Sequence, residues 1–141
     1  MKYSGNITKN FTLAEVACND KEQTLLISPE VISHAQRLQK FREWFNRPMR
    51  VNSWYRTAAY NKSCGGASKS YHVQGIATDI ALPAEFFKYS KERKREFIEN
   101  MRKKWHELCG GKGGFGMYDN FVHMDSRTSK VDFDYRKNKN Y

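Results

Sequence analysis

Cysteine is scarce: Cys18, Cys64 and Cys109 are the only three in 141 residues, they lie far apart, and no CxxC pair occurs. That excludes a zinc ribbon, a thioredoxin-type motif and a disulfide framework, and it points to reduced, structural thiols. No apolar run approaches the ~20 residues of a membrane-spanning helix. Internal repeats, low-complexity tracts and linkers are also lacking, so one domain over residues 1–141 is expected, with a short basic tail from about residue 128. The opening Met1-Lys2-Tyr3-Ser4-Gly5-Asn6 has no secretory apolar stretch, which predicts a protein made in the cytoplasm. Acidic residues are few, 15 against 25 Lys and Arg, for a net charge of +10.

What is present is a globular composition, with 39% hydrophobic and 14% aromatic residues. The positive field favours a polyanion: nucleic acid, anionic lipid or an anionic wall polymer. Eight basic and three acidic residues lie between Lys88 and Lys104, and five more basic residues follow Asp125. A solvated helix face plus a soluble tail would give the same pattern. Nucleic acid rests on charge and aromatics alone and ranks last as a partner.

Ser28-Pro29-Glu30 predicts a helix start, and Val31, Ala35, Leu38, Phe41 and Phe45 give it one apolar face before Pro48. A short helical turn is read at Phe11–Val16, a strand at Met49–Ser53, and a second long helix from about Pro83 to Leu108. Phe86, Phe87, Phe97, Ile98, Met101 and Trp105 are its expected core contacts. Ile76–Leu82 and Phe121–Asp125 read as two further strands. The expected fold is α+β, a small antiparallel sheet with helices packed on one side.

Strand alternation puts Asp79 on a face with Ala77 and Ala81, and His123 with Phe121 and Asp125. His72 precedes Asp79 by seven residues, with Gly75 between them to turn the chain. Two imidazoles and a carboxylate are the donor set of a catalytic Zn²⁺. By spacing alone, a loop histidine and a hydrogen-bonded strand histidine explain the same residues. His34 and His106 read as surface or interface residues outside any site.

The wording is more specific than the spacing. Ser70-Tyr71-His72-Val73-Gln74-Gly75-Ile76-Ala77-Thr78-Asp79 forms S-x-H-x-x-G-x-A-x-D, followed by Gly116-Met117-Tyr118 and Phe121-Val122-His123-Met124-Asp125-Ser126-Arg127. With Phe11-Thr12-Leu13, Ile27–Glu30 and Val51–Asn61 upstream, this order resembles the zinc D-Ala-D-Ala carboxypeptidase family over roughly residues 10–127. That family belongs to the murein peptidases that include lysostaphin-type enzymes and the hedgehog fold.

The resemblance implies a Zn²⁺ cofactor held by His72, Asp79 and His123. It implies Arg56 as the group that binds a substrate carboxylate or the developing oxyanion, and Ser70 as a hydrogen-bonding support. Several relatives carry an acid three residues before the last histidine, where this chain has Asn120. Strand parity offers Asp125 as general base, with Asp119 second; Asp125 as a carboxylate that holds a ligand histidine is the alternative. The implied activity is hydrolysis of peptidoglycan stem peptides, as carboxypeptidase or endopeptidase; the missing secretory stretch suggests phage delivery to the wall, as an endolysin or virion protein. The competing reading is a non-catalytic, zinc-containing wall-binding or phage structural module. Motifs alone leave the oligomeric state unread.

Overall fold

The computed structural model describes residues 2–139 and 141. A hairpin of β1 (Asn6–Thr8) and β2 (Phe11–Thr12) leads into the short helix α1 (Leu13–Val16), whose Thr12 and Glu15 form a reciprocal capping box. Helix α2 (Pro29–Phe45) starts as expected, with Ser28 Oγ accepting from Val31 N. It stops at Asn46, which takes a left-handed conformation, two residues before Pro48. Strand β3 (Val51–Ser53), helix α3 (Ala58–Ser63) and strand β4 (Ala77–Ala81) follow.

The expected single helix from Pro83 to Leu108 is two elements: a 3-10 turn at Ala84–Lys88 and helix α4 (Lys91–Leu108). Tyr89 is extended between them, and Ser90 Oγ restarts the helix by accepting from Arg93 N. Phe87 is correspondingly exposed rather than in the core, whereas Phe86, Ile98, Met101 and Trp105 are buried. The chain ends through β5 (Gly113–Met117), β6 (Phe121–Asp125) and β7 (Lys130–Asp134).

The main sheet has the order β3-β4-β6-β5-β7. Its first three pairings are antiparallel and β5 pairs β7 in parallel, so the α+β class holds but the sheet is larger and mixed. Residues 130–134, expected in a solvated tail, are its edge strand. Helices α2 and α4 cover the face lined by Thr78, Ile80, Val122 and Met124: His34 of α2 bonds Thr78, and Trp105 of α4 packs edge-on against His34. The opposite face of β4 and β6 carries Asp79, His123 and Asp125 among Ala77, Ala81 and Phe121. No helix among the described residues is long and apolar enough to cross a membrane.

Candidate metal centre

Register assembles the centre. Asp79 pairs directly with His123 across β4 and β6, and Ala77 pairs with Asp125. Asp79, His123 and Asp125 therefore emerge on one face. His72 arrives from the turn that precedes β4. Gly75 makes that turn possible with φ +73°, and a Cβ there would also strike a Val31 methyl. Trp54 locks the turn at two points: its indole donates to Gly75 O at 2.9 Å, and its carbonyl accepts from His72 Nδ1 at 2.6 Å.

His72, Asp79 and His123 each aim one ligand atom at a common point, and these atoms lie within 4.8 Å of one another. All three residues are buried. A carbonyl only accepts, so the proton of a neutral His72 sits on Nδ1 and Nε2 turns a lone pair towards Asp79 Oδ1, 3.2 Å away. His123 Nε2 meets Asp125 Oδ2 at 2.7 Å, which leaves Nδ1 facing the same Asp79 oxygen at 3.1 Å. Two imidazole lone pairs and a carboxylate then converge with no donor between them, an arrangement that asks for a cation. Protons satisfy it otherwise: burial opposes a charged His123, but its bonds to Asp125 and Asp79 prevail and raise its pKa. Burial likewise works to raise the Asp79 pKa, and the hydrogen bonds from His123 and His72 overturn it and hold the carboxylate ionised.

Outside this group, Asp125 is fully enclosed. Arg127 donates to both its oxygens, at 2.9 and 2.7 Å, and the Arg127 backbone N–H adds a third bond at 3.0 Å. The Arg127 guanidinium lies over the Tyr71 ring, 4.5 Å from its centroid, and so ties the β6 end to the His72 turn. Glycines make room for this packing. A Cβ on Gly114 would fall on Asp125 Oδ2 and Arg127 Nε, and one on Gly116 would fall on the Phe133 ring. Phe133 of β7 thus leans against His123, with ring centroids 5.3 Å apart.

Arg56 borders the centre from the β3–α3 loop. Its backbone N–H donates to His72 O at 2.9 Å. Its guanidinium donates to Ser53 Oγ, Asn61 Oδ1 and Asp79 Oδ2 at 3.0, 3.2 and 3.3 Å. Ser70 Oγ accepts from His72 N at 3.2 Å, in the turn that carries His72.

Asp125 lies on the His123 face as strand parity expects, and both candidate bases are held by neighbouring groups. Asp125 has both oxygens engaged by Arg127 and His123, and these bonds outweigh burial to hold its pKa far below the usual range. That is the geometry of a carboxylate that positions a histidine. Asp119 turns its oxygens to the backbone N–H groups of Lys137 and Asn138. Asn120 is exposed in the β5–β6 turn.

His34 and His106, read as surface or interface residues, are both buried within the chain. His34 bridges Ser126 Oγ and Thr78 Oγ1 at 2.6 and 2.9 Å, and burial, followed by the Arg37 charge, drives its pKa down to about 3. His106 joins Lys112 O and Asp132 Oδ1 at 2.8 and 2.7 Å. Sequence reasoning gave no role to Arg127, Asn61 or Ser53. The H-x-D-x-R spacing was the available signal for Arg127, since alternation along β6 puts 123, 125 and 127 on one side.

The family model for peptidase M15 matches residues 9–125, a span that holds every residue of the His72–Asp79–His123 group, Arg56 and Asp125. No curated protein matches the chain.

Proposed function

The chain belongs to the peptidase M15 family, and we propose that it is a zinc-dependent peptidase that hydrolyses peptide bonds in peptidoglycan stem peptides. The observation that carries this reading is the convergence of His72 Nε2, Asp79 and His123 Nδ1 on one point. Zn²⁺ held there supplies Lewis acidity, which polarises a scissile carbonyl and lowers the pKa of a water towards ~7. Arg56 offers a planar guanidinium fork to a stem-peptide carboxylate or to the developing oxyanion. Its bonds to Ser53, Asn61 and Asp79 fix that fork before substrate arrives. Asp125 is assigned the positioning of His123 rather than proton abstraction, because Arg127 and His123 occupy its oxygens. Carboxypeptidase and endopeptidase action remain as two forms of one proposal, and the +10 charge suits delivery, by a phage or otherwise, to an anionic wall.

The occupation of Asp125 by Arg127 and His123, and of Asp119 by backbone N–H groups, favours one competing reading, a zinc-containing module that binds the wall without cutting it. Mass spectrometry of purified peptidoglycan after incubation with zinc-loaded protein separates the two. New peptide fragments that vanish with a chelator are the expected result, and their masses name the bond. Intact peptidoglycan from a sample with verified zinc content overturns the peptidase reading in favour of the binding module.

A further inference from the structure

Tyr118 follows β5 and opens the turn to β6, where its backbone N–H donates to Phe121 O at 3.0 Å. Its ring lies flat on Phe121, with centroids 4.3 Å apart and planes 10° apart. Phe121 shares a face with His123 and pairs with Ala81, which shares a face with Asp79. The phenol therefore lies on the side of the sheet that carries the metal centre, two residues or ~7 Å of strand from the Asp79–His123 pair. Phe133 closes the same corner: its ring packs against His123 and meets Tyr118 edge-on at 6.4 Å. Two charges of the centre, Asp79 and Arg56, act on the Tyr118 hydroxyl. Burial, then the Asp79 charge, keep its proton on against the pull of Arg56. A half-buried phenol with a fixed ring and a retained proton is a hydrogen-bond donor that loses little entropy when it is used.

We propose that Tyr118 is a catalytic residue whose hydroxyl donates a hydrogen bond to the oxyanion of the tetrahedral intermediate in amide hydrolysis. The inference rests on the peptidase reading above. As the water oxygen bonds to the carbonyl carbon, an electron pair moves onto the carbonyl oxygen, and Tyr118 stabilises it without giving up its proton. When the intermediate collapses, that pair reforms the C=O bond, the C–N bond breaks, and the water-derived proton ends on the leaving amine. Tyr118 is complementary to the charge that develops in the transition state and not to the neutral substrate carbonyl, so its effect belongs to kcat.

The test compares wild type with Tyr118→Phe, which keeps the stacked ring and removes only the oxygen. A stem peptide and its phosphinate analogue, which carries the tetrahedral oxyanion, serve as substrate and probe. The variant is expected to hold zinc in the same stoichiometry, keep KM within about threefold and lose about 100-fold in kcat. Calorimetry is expected to show a parallel loss in affinity for the phosphinate, with binding of the cleaved product unchanged. A variant with wild-type kcat and phosphinate affinity overturns the role of Tyr118 alone. A loss confined to KM, or one that follows loss of zinc, overturns it as well. A zinc-loaded wild type that neither cuts the peptide nor binds the phosphinate defeats the peptidase reading itself, and this inference with it.

Discussion

His34 shows how much a single side chain can contribute away from the reactive face. It joins the underside of β4 to the segment after β6 through Thr78 and Ser126, and it stands between the rings of Trp54 and Trp105. Its folded pKa of about 3 lies below the ordinary 6.5, so the unfolded chain binds a proton that the native protein refuses. Stability therefore falls as the pH drops below the unfolded value, by about 1.4 kcal/mol per unit until the folded value is reached. Between pH 7 and pH 5 this group alone removes ~2 kcal/mol. Urea unfolding of His34→Gln across that range is expected to show lower stability at pH 7 but a flatter acid slope than wild type. Equal slopes would show that His34 titrates normally. None of this was legible in the sequence, because a histidine on an amphipathic helix gives no sign of whether a sheet hydroxyl waits above it. The grouping of His72, Asp79 and His123 was legible, since the three sit in a fixed order of motifs.

At the scale of elements, β5 was the strand most hidden from a reading by pattern. Gly114 and Gly116 carry no side chain, so the alternation that marks a strand is erased on one face. The structure shows what fills that face instead: Asp125 and Arg127 lie over Gly114, and Phe133 over Gly116. Gly114→Ala is expected to push the Asp125–Arg127 pair off its place and release His123 Nε2. Zinc affinity measured by competition with a chromogenic chelator should fall about 10- to 100-fold, the usual effect of losing a partner that orients a ligand. Unchanged affinity would mean that Asp125 does not set the His123 ring. Strand β7 was hidden for a different reason, because its charged residues read as tail, and only its parallel pairing with β5 makes it a strand. The break between the 3-10 turn and α4 escaped because Ser90 is one polar residue in a basic, polar stretch. Helix α2 was legible because cap, proline and apolar spacing agree.

For the whole molecule, the succession of helix and strand patterns gave the α+β class, and the +10 charge left nucleic acid, anionic lipid and wall polymer open as partners. The charge makes a separate prediction. Raising the salt from about 0.05 to 0.5 M shortens the screening length from ~14 to ~4 Å. Turnover of intact walls is expected to drop severalfold over that range, while turnover of a short soluble stem peptide changes little. An equal response of both substrates would mean that the field acts at the centre and not on the polymer.

The pairing of Asp79 with His123 has a further consequence for how the chain comes to life. His72 and Asp79 are seven residues apart and meet through a local turn, but His123 lies 44 residues beyond Asp79 and waits for α4 and β5 to be laid down. No short fragment can assemble the three donors. The three donors come together only where β4 and β6 have paired. A chain that has the ion has, by the same contact, already closed the middle of its sheet.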